Sequence, residues 1–180
     1  FSLTQSGRYE LPMDQPIKLV PGDAIYQQPP APGKQPGVLD IMWLSLKFRW
    51  WAGEMTDSHT GPEPDIRLFL VYFDPEYLPT LSHSVGLQQG LIGIVNVFAT
   101  ESQAETNNFV IAHEMLHTLG ATDKYDYAGN MPAFPDGYAE PERHPLYPQQ
   151  MAEIMGGRIP LTSNNASIPE HLPQVVVGPA

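Results

Sequence analysis

The sequence predicts an α+β domain threaded by long loops, and three observations carry that reading. Two β-branched and aromatic runs of strand length stand at Asp65–Asp74 and Leu91–Ala99. A helical segment runs from Asn107 to Leu119 and meets a stop at Gly120. The chain of 180 residues carries 20 prolines and 15 glycines, too many for elements to follow one another on short turns. Apolar residues make up 42%, enough for a packed core, and the length suits one domain.

Taken in order, residues 1–37 read as an extended proline-rich arm. One strand is expected in it at Ile17–Val20, followed by the loop Gln27–Gly37. Residues 38–180 read as a single domain. Its first segment, 38–52, carries two periods at once. Leu39, Met42, Trp43, Leu46 and Trp50 fall at helical spacing, with Asp40 placed to cap and Gly53 to terminate. Ser45, Lys47 and Arg49 also alternate with Leu44, Leu46, Phe48 and Trp50 as in a strand. Length favours the helix and aromatic content the strand, and helix is the preferred reading. Pro64 and Asp74-Pro75 bound the first clear strand. The second, Leu91–Ala99, is weakened locally by Gly90 and Gly93. It is a candidate either for the rim, where it could bind an extended peptide by strand addition, or equally for a central place in the sheet. Residues 121–150 read as loop, followed by a short element at Gln149–Met155. At most a short helix fits the tail near Ser167–Val177.

Charge and composition exclude several classes. Nine Lys and Arg against 20 Asp and Glu give a net charge of −11, which repels a phosphate backbone and argues against nucleic-acid binding. There is no cysteine, so disulfides, cysteine–zinc sites and thiol catalysis are ruled out. No apolar stretch approaches the ~20 residues of a membrane span. The chain opens on Phe1 rather than Met, so a start is expected upstream, and a signal peptide or anchor is one candidate for it that this sequence does not show. An extracytoplasmic location is the corresponding expectation.

The chemistry concentrates at His113-Glu114-Met115-Leu116-His117. On a helix, residues four apart stand about 40° from each other and one turn along, so His113 and His117 project side by side as two ligands of one metal ion. Glu114 stands about 100° round from His113, near the ion but better placed to act on a water than to bind. Phe109, Ile111, Ala112, Met115, Leu116 and Leu119 are expected to form the opposite, core-facing arc. Gly120 can take the left-handed turn that reverses the chain, and Ala121-Thr122 then carry Asp123 to the site as third ligand. Glu140, Glu142 and His144 are alternative third ligands, weakened by Pro141 and Pro145, which break any helix there. The run Asp123, Asp126, Asn130 lacks the spacing of a calcium loop. His59, His83 and His171 show no ligand spacing and read as surface residues.

The pattern His113-Glu114-x-x-His117-x-x-Gly120-x-x-Asp123 resembles that of the metzincin-type zinc peptidases, in the variant with Asp as third ligand. HEMLHTLGATDKYD is similar to the snapalysin and immune inhibitor A peptidases, with Tyr125-Asp126 as the aromatic-acidic tail. The resemblance implies a mixed, twisted sheet with one edge strand lining a cleft, packed on the active-site helix and one or two others. It implies one catalytic Zn2+ held by His113, His117 and Asp123, with Glu114 as general base toward a metal-activated water. It also implies a methionine turn beneath the metal, and Ala152-Glu153-Ile154-Met155-Gly156 matches, with Met155 ahead of Met151 and Met131 as its methionine. No Tyr follows Met155 directly, which leaves Tyr125, Tyr127 and Tyr138 as candidate oxyanion donors. The implied activity is endopeptidase cleavage of protein or peptide substrates. The competing reading is a latent or non-proteolytic zinc-binding domain that serves as an interaction module.

Overall fold

A computed structural model describes residues 17–30, 38–57, 63–126 and 128–178. Residues 17–30 hold no strand, so the strand expected at Ile17–Val20 is not formed. Its apolar side chains Ile17, Leu19 and Val20 are exposed, and the segment pairs with no strand among the described residues. The rest of the expected arm, 1–16 and 31–37, lies outside the described residues, as do His59 and Tyr127.

The two-period segment is a helix, α1 (Val38–Asp57). Phe48, Trp51 and Ala52 share one face at i, i+3, i+4 and are buried, while Leu46 and Trp50 on either side of Phe48 are exposed. A strand would have put Leu46, Phe48 and Trp50 on one face. The helix runs through Gly53, the expected stop, for a further turn in which Thr56 Oγ1 donates to the Ala52 carbonyl at 2.6 Å. The helical stripe legible in the sequence, Leu39, Met42, Trp43, Leu46 and Trp50, is the outward face.

Three strands form the main sheet in the order β1–β3–β2, with β1 at Arg67–Phe73, β2 at Val85–Leu87 and β3 at Ile92–Phe98. β1 and β3 run parallel, from Arg67 opposite Ile92 to Phe73 opposite Phe98. β2 pairs antiparallel with β3, Val85 opposite Ile94 and Leu87 opposite Ile92. β3 is therefore the central strand, and the rim position considered for Leu91–Ala99 belongs to β2. Alternation along β3 splits its two faces. Ile92 and Ile94 meet Phe48, Trp51 and Phe69 beneath α1, where the Trp51 and Phe69 rings lie 4.7 Å apart. On the other face a Cβ at Gly93 would stand 2.8 Å from Leu68 Cδ2 and 3.6 Å from Thr118 Cγ2, so a glycine lets the next helix pack flush.

That helix, α2 (Ala104–Thr118), follows β3 through one 3₁₀ turn at Glu101–Gln103. Asn107 pins its first turn to the strand end: its Nδ2 donates to the Phe98 carbonyl at 2.8 Å and its Oδ1 accepts from Phe98 N–H at 3.3 Å. The remaining elements are short: β4 (Tyr125–Asp126) with β5 (Met131–Pro132), β7 (Ile159–Thr162) with β8 (Asn165–Ser167), and β6 (Ala152–Glu153) parallel to β9 (Val175–Val176). The tail helix is a single 3₁₀ turn, Leu172–Gln174. A second core joins Phe109 of α2 to Ala152, Ile154, Met155, Ile159 and Val175, with Val110, Ala112 and Leu116 against it. The helix thus has two packed sides. Its histidine side is not an open polar face, because His113 and Glu114 are buried, while Leu119, expected in the core, is exposed. The fold is mixed α+β, and no helix among the described residues is long and apolar enough to cross a membrane.

Candidate metal centre

α2 ends as its sequence requires. Gly120 takes φ +97°, its N–H donates to the His117 carbonyl at 3.0 Å, and Ala121 N–H donates to the Leu116 carbonyl at 3.0 Å. This double closure needs a residue that tolerates positive φ. Replacing Gly120 with Ala is expected to destabilise the chain by about 1–2 kcal/mol from the backbone alone. The added Cβ would also meet Gln88 Nε2 at 2.6 Å. A urea midpoint unchanged from wild type would show that the turn relaxes without cost.

The reversed chain brings Asp123 back over the helix. Its Oδ1 stands 3.2 Å from His113 Nε2 and 3.1 Å from His117 Nε2, and the two Nε2 atoms are 3.0 Å apart. The opposite ring nitrogens settle the tautomers. His113 Nδ1 lies 2.8 Å from the Ile154 carbonyl, and His117 Nδ1 lies 2.8 Å from the Ala121 carbonyl. A carbonyl only accepts, so both Nδ1 atoms carry a proton, and in the neutral rings both Nε2 lone pairs point inward. Two ring nitrogens and a carboxylate oxygen converge on one point, a donor set able to hold a cation. The turn that positions Asp123 also supplies the carbonyl that orients His117.

Glu114 completes the group, its ligand atom lying with those of His113 and His117 inside a 4.8 Å cluster able to hold a metal ion. Glu114 is buried, and its Oε2 has no hydrogen-bond partner among the described residues. Burial pushes its carboxyl up to about 7, the Asp123 charge adding to the effect and His117 opposing it. Burial also lowers the His113 pKa, aided by His117 and opposed by the Ile154 carbonyl and Asp123.

The structure does not bring the other candidates here. The Glu140 carboxylate accepts from Arg143 Nη1 at 3.2 Å and from Gln150 N–H at 3.2 Å, while Glu142 and His144 are exposed, as are His83 and His171. The Asp126 oxygens accept from Ala128 and Gly129 N–H within their own turn. Tyr138 is buried with its hydroxyl 2.9 Å from that of Tyr147, and burial with that contact pushes its pKa up to about 12. Tyr125 is half-buried in β4, with its ring 3.8 Å from where a Cβ at Gly157 would stand. Met155 is buried in the second core, one residue after the carbonyl that holds His113. Met151 and Met131 are half-buried. Sequence reasoning missed Ile154 and Ala121, because they act through main-chain oxygens that any residue carries. It also missed Glu153, a 1%-exposed carboxylate next to Ile154. No family model matches the chain, and neither does any curated protein or solved structure.

Proposed function

We propose that the chain is a zinc-dependent endopeptidase of metzincin type. The observation that carries this reading is the triangle of His113 Nε2, His117 Nε2 and Asp123 Oδ1, with edges of 3.0, 3.1 and 3.2 Å. Donors around a tetrahedral zinc at 2.0–2.2 Å stand ~3.3–3.5 Å apart, so the triangle needs to open by only a few tenths of an ångström. Three protein ligands leave the fourth position for a water or substrate oxygen, as in catalytic rather than structural sites. Zinc held there would supply Lewis acidity toward a scissile carbonyl and lower the pKa of a water toward ~7.

The chain's own groups do the rest. Glu114 takes a proton from the attacking water as its oxygen bonds to the carbonyl carbon. It delivers that proton to the amine nitrogen as the carbon–nitrogen bond breaks. Its buried Oε2, which has no hydrogen-bond partner among the described residues, supports this role, because a group that must accept and return a proton is better left without a permanent bond. The Ile154 and Ala121 carbonyls keep both imidazoles in the ligating tautomer. Among the described residues β2 pairs on one side only, and a Cβ at Gly86 would meet His117 Cβ at 2.6 Å, so the sheet edge beside the site suits an extended peptide.

The test is metal content by mass spectrometry on the purified chain, with casein cleavage before and after chelation. About one zinc per chain is expected, with cleavage lost on chelation and restored by zinc. A chain that carries zinc and cuts no protein would favour the interaction-module reading. A chain that binds no zinc would overturn both.

A further inference from the structure

We propose that Glu153 is a positioning residue, whose buried carboxylate locks the Asp123 loop, the turn that holds His113 and the C-terminal strand into one body. The inference rests on the metal reading above for its consequence, and on hydrogen bonds alone for its geometry.

Three segments meet at this carboxylate. Glu153 Oε2 accepts from Gly156 N–H at 2.7 Å and so closes the turn in which it sits. Its Oε1 accepts from Gly178 N–H at 3.1 Å and from Lys124 Nζ at 3.4 Å. The C-terminal chain passes flush over it, since a Cβ at Gly178 would lie 2.5 Å from Glu153 Cγ. Each segment leads directly to the site. Lys124 follows Asp123, and its backbone N–H donates to the Met155 carbonyl at 2.9 Å. Ile154 follows Glu153, takes the His113 Nδ1–H on its carbonyl, and donates its own N–H to the Val176 carbonyl at 2.8 Å. The parallel pairing of Ala152 with Val175 and Glu153 with Val176 fixes the same register.

A carboxylate is specifically suited to this place. Both oxygens face donors, and one donor is a cation, so the charge is compensated although the group is 1% exposed. Glutamine would keep the shape but turn one oxygen into an NH2 group facing a backbone N–H or the Lys124 ammonium. The charge therefore holds together the two loops that orient His113 and deliver Asp123, without touching the ion or the substrate.

The experiment compares wild type with Glu153→Gln, Lys124→Met and, as a control in the other core, Trp51→Phe. Affinity for cobalt(II) and the visible spectrum of the cobalt form report on the metal geometry. Long-range 1H–15N spectra of the metal-free chains report on the His113 tautomer, and thermal unfolding reports on stability. Glu153→Gln and Lys124→Met are expected to weaken cobalt binding by about 10–100-fold, the usual cost of losing an outer-shell contact, and to alter the cobalt spectrum. They should also mix the Nδ1–H and Nε2–H tautomers of His113. Trp51→Phe should change stability alone. Wild-type cobalt affinity and an unmixed His113 tautomer in both site variants would overturn the proposal. If Glu153→Gln does not fold, Lys124→Met carries the same decision through the Oε1 arm. If wild type itself binds no cobalt, the metal reading fails, and the metal-free His113 spectra still decide the role of Glu153.

Discussion

Replacing His117 by Ala is expected to strip the chain of its metal under conditions where wild type retains it. A four-ligand zinc site in a small domain is worth about 10–16 kcal/mol, so one ligand accounts for roughly 2.5–4 kcal/mol, on the order of 10²–10³-fold in affinity. Of the three proposed ligands, His117 is the one whose loss is best isolated. Its side chain is 19% exposed, and its orientation comes from the Ala121 carbonyl within the same turn rather than from the distant core. Competition against a chelator of known affinity measures the effect. Asp123→Asn, which keeps the shape and removes the charge, should fall between wild type and His117→Ala. A His117→Ala chain that holds zinc as tightly as wild type would show that the ion, if bound, sits elsewhere.

Glu114→Gln is expected to retain zinc and lose casein cleavage by about 10²–10⁴-fold, the usual contribution of a positioned general base. The replacement is isosteric, and the buried Oε2 has no hydrogen bond among the described residues to forfeit, so the fold should tolerate it. Metal content and turnover must be measured on the same samples. Cleavage at the wild-type rate would remove Glu114 from the mechanism. Loss of zinc together with activity would reassign it as a ligand, a role open to it because its oxygen lies within the same 4.8 Å cluster.

Much of the candidate site was legible because its information is local. The spacing of His113 and His117 is a property of any α-helix, and Gly120 announces a left-handed turn wherever a helix must reverse. Asp123 then has few places to go. The carbonyls of Ile154 and Ala121 carry no side-chain signal at all. Glu153 looked like one acidic residue in a short apolar run, and its partners Lys124 and Gly178 lie 29 and 25 residues away. Elements shorter than four residues, such as β2, β4 and β5, were equally unreadable, because periodicity needs several residues to show.

The faces of α1 mark the same boundary. The residues at helical spacing made a helix at 38–52 legible, yet the apolar stripe that stood out is exposed, and Phe48, Trp51 and Ala52 form the core. In a helix apolar on most sides, periodicity identifies the element and does not choose its buried side. By itself the sequence determined the α2 segment, its stop at Gly120, the two long strands, and the side-by-side projection of His113 and His117. Only the tertiary structure decided that β3 is central between β1 and β2, which carbonyls orient the histidines, and that a buried glutamate joins three separate segments beneath them. The physical reason is range: helix geometry and turn conformation act over a few residues, whereas strand order and buried polar pairing depend on groups brought together only by folding.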